Sequence, residues 1–223
     1  MSTALTILRP ARTPRVPSVL RAAAWVALGS ACAVAVACSS NNQQSPDAFI
    51  AATMNSDVVP GLCPFGSTQQ WINVGAPTSG KPNTVQNGNQ NAGATVQVSC
   101  TVSAVGNGFD VLLSVTQEGT GGGTVTISST TGQGAVTASG GTVTGVFESA
   151  SLGSFRDEGC TISYTYQGTA VPDSPPIAAG RIWGHVSCPN AQNATQFGTG
   201  ADGGNTERAC DGEADFLFEQ CGS

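Results

Sequence analysis

From Thr95 to Ala104 the chain alternates without a break. Val96, Val98, Cys100, Val102 and Ala104 fall on one parity; Thr95, Gln97, Ser99, Thr101 and Ser103 fall on the other. Period two in a stretch this rich in Val and Thr describes a strand with one buried face, a pattern that a helix would scatter around its circumference. Gly106-Asn107-Gly108 supplies turn residues, and Phe109, Val111, Leu113 and Val115 then alternate again, so residues 95–117 are expected to form a hairpin. Further strands are expected at 70–74, 124–128, 135–138, 142–149, 160–167, 181–188 and 213–220. Short, evenly spaced strands with Gly-rich turns and no amphipathic helix predict an all-β, antiparallel β-sandwich of about eight or nine strands, with a β-barrel as the alternative. The Thr/Gly-rich stretch 120–145 repeats TVTIS, AVTAS and TVTGV without a fixed period, which describes a meander of exposed strands rather than a solenoid.

The first 37 residues differ from the rest. Arg9, Arg12, Arg15 and Arg21 precede the uncharged run Ala22 to Ala37, the layout of a secretory signal peptide. Sixteen residues at about 1.5 Å each span roughly 24 Å as a helix, short of the ~30 Å hydrocarbon core of a bilayer. The run ends Ala35-Val36-Ala37-Cys38 and is followed by the polar segment Ser39 to Pro46. In these four residues the chain resembles a bacterial lipoprotein precursor, although Ala35 stands where that family usually has Leu. The resemblance implies cleavage before Cys38, lipidation of Cys38 with acyl chains such as palmitate, and a membrane anchor. Ser39, where some lipoproteins carry an Asp that retains them in the inner membrane, implies by the same resemblance the outer membrane of the cell envelope. Ala35-Val36-Ala37 also suits an ordinary signal-peptidase cut at the same bond. The expected organisation is a signal peptide at 1–37, a lipidated N-terminus and flexible tether with one helical turn at 38–59, and a single β-sandwich domain at 60–223.

Of eight cysteines, Cys32 leaves with the signal; if Cys38 carries lipid, Cys63, Cys100, Cys160, Cys188, Cys210 and Cys221 remain and can pair completely. An extended segment between Cys210 and Cys221 would hold them over about 30 Å apart, so they are not expected to pair with each other. If strands 160–167 and 181–188 are antiparallel neighbours, Cys160 and Cys188 meet at one end, with Cys188–Cys210 as the rival bridge. No C-x-x-C or H-x-x-H occurs, which removes zinc and dithiol redox chemistry.

The 223 residues carry 8 Lys+Arg against 14 Asp+Glu, with a pI near 4.5. Loss of residues 1–37 takes four basic residues and no acidic one, leaving a net charge of about −10. Such a chain has no basic face for phosphates, so nucleic acid is excluded as a partner. Candidate ligand-binding residues are Arg181, Trp183 and His185, which share one parity; an exposed indole among hydrogen-bonding groups would stack on a carbohydrate or anchor a protein ligand. A candidate Ca²⁺ site gathers Asp202, Asn205, Glu207 and Asp211, although Phe216 and Gly222 stand where an EF-hand counted from Asp211 needs Gly and Glu. Signatures of a nucleophile elbow, a zinc protease or a Walker loop are absent. The expected function is therefore a non-catalytic binding or surface module. The alternatives are a hydrolase using Glu148 with Asp157 or Glu158 and His185 as auxiliary, or a purely structural envelope protein.

Overall fold

A computed structural model describes residues 44–55, 63–193 and 209–223, and every regular element among them is a strand. In chain order these are β1 (Asp47–Asn55), β2 (Gln69–Val74), β3 (Val85–Gln86), β4 (Gln90–Asn91), β5 (Ala94–Val105), β6 (Gly108–Gln117), β7 (Gly123–Ser128), β8 (Val136–Thr137), β9 (Gly140–Ser149) and β10 (Gly153–Ser163). There follow β11 (Thr165–Tyr166), β12 (Thr169–Ala170), β13 (Ile177–Ala178), β14 (Arg181–Asn193) and β15 (Ala209–Glu219). Six are two-residue pieces; the other nine carry the architecture.

Thirteen strands form one antiparallel sheet in the order β2-β1-β15-β14-β10-β9-β7-β6-β5-β4, with β3, β8 and β13 attached to its flanks; β11 and β12 make a separate ribbon. The sheet turns over so that its two halves face each other. Trp71 of β2 meets Phe147 of β9 at 6.4 Å and Phe155 of β10 at 5.8 Å between ring centroids, and its Nε1 donates to the Glu148 carbonyl at 3.1 Å. At the other end Gly222 donates to the Cys100 carbonyl of β5 and accepts from Val102, covering that edge. This is a β-sandwich cut from one sheet, and it is not a closed barrel. The 95–117 hairpin is present as β5–β6, in register from Val96↔Gln117 to Val105↔Gly108, although Ala104 at its tip is exposed.

Segment 47–55 corrects the tether. It is strand β1, paired with β15 on one side and with β2 and β3 on the other. Ala48, Ile50, Ala52 and Met54 face the main core while Phe49 is buried on the opposite face. A strand covered on both faces needs no polar alternation, so its apolar run carries no period-two signal. The domain therefore includes Asp47–Asn55, and no helical turn forms there.

Two bulges account for the other shifted boundaries. Pairing slips between Asp157 and Cys160 in β10 and between Cys188 and Ala191 in β14, so buried positions change from odd to even in one strand and from even to odd in the other. Alternation read from the sequence stops at such a slip, and strands expected to begin at 160 and end at 188 extend past both. The disulfide Cys160–Cys188, with Cα atoms 4.2 Å apart, joins the bulges as expected. Cys63–Cys210 and Cys100–Cys221 complete the pairing, so Cys210 and Cys221 do not bond to each other and the rival Cys188–Cys210 does not form. Each bridge stabilises the fold by about 2–4 kcal/mol. β9 crosses the Cys160–Cys188 sulfurs so closely that a Cβ on Gly145 would lie 2.5 Å from the Cys188 Sγ. Asp157, the one buried charged residue among those described, accepts the Gly159 N–H at 2.7 Å and the Asn190 N–H at 3.0 Å, one from each bulge. Its carboxylate thus satisfies donors that the slipped ladder leaves over.

Asp157→Ala should lower the unfolding free energy by about 1–3 kcal/mol, because two backbone N–H groups lose a charged acceptor. Asp157→Asn, which keeps one acceptor oxygen, should cost less. Urea titrations at constant pH measure both, and an unchanged midpoint for the alanine variant would contradict this role.

Candidate functional site

On β15, and on β14 up to Cys188, the even positions enter the core and the odd positions face outward. Direct register pairs Ser187 with Glu213, His185 with Asp215 and Trp183 with Leu217, so each pair shares the outer face. His185 Nδ1 lies 2.9 Å from Asp215 Oδ1, with the side chains 26% and 22% exposed. The other Asp215 oxygen accepts the Gln167 N–H at 3.4 Å. The hydrogen bond with Asp215 raises the His185 pKa above its ordinary 6.5; burial opposes it, and the charges of Asp215, Glu213 and Asp211 add to the rise.

Trp183 is not the exposed platform its parity suggests; none of its surface is exposed. After β10 the chain reverses through Gln167 and Gly168, both at positive φ, and the β11–β12 ribbon folds back over the outer face. Tyr166 then packs on Trp183 at 5.6 Å and edge-on against Phe49 at 5.8 Å, and its hydroxyl accepts the Thr78 N–H at 3.2 Å. Tyr166 therefore belongs to a second apolar cluster with Phe49, Trp183 and Leu217, separate from the main core. Burial pushes its phenol pKa up, and pushes that of Tyr164, whose hydroxyl donates to the Thr137 carbonyl, up to about 12.

Arg181 does not join His185. Its guanidinium pairs with Asp173 at 3.1 Å and donates to the Pro175 carbonyl, bracing the proline loop. Of the three ligand-binding candidates, then, Trp183 is covered, while Arg181 and His185 stay partly exposed, each paired with a different carboxylate. Cys38 and the calcium candidates Asp202, Asn205 and Glu207 lie outside the described residues, while Asp211 sits within β15 opposite Asn55. Among the described residues the closest gathering of metal-type ligands is Asp157, Cys160 and Cys188. Its sulfurs are bonded to each other and its carboxylate is engaged by two N–H groups, so it is a structural joint. The carboxylates proposed for hydrolysis do not converge: Glu148 is exposed on the outer face, Asp157 is buried, and Glu158 pairs with Arg156 at 2.8 Å.

A shallow groove of about 500 Å³ opens on the outer face of β6, β7, β9 and β10. Thr116, Thr124, Glu148 and Ser154 stand in one cross-strand row along it, with the two threonine hydroxyls 2.9 Å apart. The sequence shows this only as a Thr/Gly-rich meander, since the row depends on register between four strands. No protein-family model matches the chain, and neither does any curated protein or solved structure.

His185 is the single histidine, so its NMR titration is unambiguous. Its midpoint should lie above 6.5 in the native protein and fall in Asp215→Asn. Because the folded value is raised, the pair's contribution to stability is fully present below the unfolded pKa and is lost as pH rises through the folded one. A midpoint at or below that of an unfolded peptide would contradict the assignment.

Proposed function

We propose that this chain is an exported, lipid-anchored module of the bacterial envelope that binds a neutral carbohydrate rather than catalysing a reaction. Three disulfides suit an oxidising compartment outside the cytoplasm, and no helix among the described residues is long and apolar enough to cross a membrane. The observation that carries the anchor is cysteine pairing. Six of the seven cysteines beyond residue 37 are consumed in bridges, leaving Cys38, at the lipobox-like Ala35-Val36-Ala37-Cys38, as the odd sulfur. A diacylated cysteine holds a protein on a bilayer at about 0.8 kcal/mol per buried methylene, with no further apolar segment required. Ser39 favours the outer membrane as its destination.

For the ligand, the polar groove is favoured over the Trp183 face because Trp183 is covered. A row of hydroxyls with one carboxylate can donate to and accept from the paired hydroxyls of a sugar ring, and the acidic surface repels anionic competitors. The carboxylate-hydrolase alternative is weakened because Glu148 is the one carboxylate among the described residues that line the groove.

Mass spectrometry of the mature protein should give a chain starting at Cys38 that carries acyl groups. Cys38→Ser should abolish both processing and membrane retention; an unacylated, fully soluble mature form would overturn the anchor. On glycan arrays, Thr124→Val and Glu148→Gln should each weaken a captured sugar about tenfold, equivalent to ~1.4 kcal/mol. Retention of a protein partner with no glycan bound would replace the carbohydrate assignment.

A further inference from the structure

The outer face of the sheet is polar along the Asp215–His185 and Glu213–Ser187 rows, but one row beyond them it is not. Phe49, Leu217 and Trp183 stand in direct register across β1, β15 and β14, forming a fully buried apolar shelf on which Tyr166 of the β11–β12 ribbon lies. The ribbon has two residues per strand and its backbone ladder joins no other strand, so that ladder alone cannot hold it in place. It is held by the Tyr166 ring, by the Tyr166 hydroxyl on Thr78, and by the Gln167 N–H on Asp215, the carboxylate that also binds His185. Beneath it Trp183 Nε1 is buried with no hydrogen-bond acceptor, a cost to the covered state that exposure of the indole removes.

We propose that the Thr165–Ala170 ribbon is a displaceable cover over an aromatic shelf, latched through the His185–Asp215 pair and released as pH rises. The charged groups facing His185 are Asp215, Glu213 and Asp211, all on β15 and all acidic. On β10 it faces Ser163, and the ribbon brings Tyr166, a phenol kept neutral by its raised pKa. Protonated His185 is the cation paired with Asp215, and it fixes that carboxylate in the orientation that receives Gln167. When the imidazole loses its charge, Asp215 is left among like charges, its preferred orientation turns toward water, and the ribbon loses its latch. The cover does not depend on the lipid anchor or on the groove.

Hydrogen exchange in the full mature protein tests this with an internal reference. The mature chain has two indoles, Trp71, bonded to the Glu148 carbonyl, and Trp183. After correction for intrinsic rates, exchange of the Trp183 indole and the Gln167 amide should rise about tenfold or more between roughly pH 5.5 and pH 8.5, while the Trp71 indole stays constant. Asp215→Asn should exchange fast at both pH values. His185→Gln, which keeps a neutral polar side chain, should lose the pH dependence even if the Asp215 variant folds poorly. Corrected rates for Trp183 that do not change with pH, or that change in step with Trp71, would overturn the proposal.

Discussion

The fold depends on the joint between β10 and β14. A long antiparallel sheet bearing apolar residues on one face must either find a partner sheet or turn over onto itself, and this chain turns. The paired bulges bend the two central strands, Cys160–Cys188 fixes their register, and Asp157 accepts N–H groups that the slipped ladder leaves without a strand partner. With the bend in place, Trp71 reaches Phe147 and Phe155, and the C-terminal residues close over the β5 edge. The other two bridges then tie residues far apart in sequence, 147 and 121 positions, with Cys100–Cys221 joining β5 to the segment after β15.

What the sequence made legible follows from local physics. The β5–β6 hairpin was readable because each strand has one wet face and one dry face, and Cys160–Cys188 because two neighbouring strands of known parity share an end. Strand β1 was not readable, since Phe49 is buried on the side where alternation requires a polar residue. The bulges were not readable because a one-residue slip erases the parity on which the pattern rests. Trp183 has the outward parity its position implied, and its burial is decided by a ribbon that only the Gln167-Gly168 turn announces. The His185–Asp215 contact and the groove row require the register between strands, which sequence spacing does not contain.

The outer surface divides into regions of different chemistry. Around β6, β7 and β9 it is a meander of hydroxyl-bearing side chains, several bonded to each other across strands, as in Ser114–Thr126 and Thr116–Thr124. Around β14 and β15 it is an acidic row moderated by one histidine, with an apolar strip beneath the ribbon. A chain of net charge near −10 after export holds few cations to balance that acidity. Lys81 is committed to Glu219 and Arg181 to Asp173, so His185 is the group whose charge varies near neutral pH.

The central claim, that one continuous sheet turns over on itself and is fastened by cysteines distant in sequence, is tested most directly by non-reducing peptide mapping of the native protein. The linked pairs should be Cys63–Cys210, Cys100–Cys221 and Cys160–Cys188 and no others. A bridge between Cys188 and Cys210, or one that includes Cys38, would contradict it.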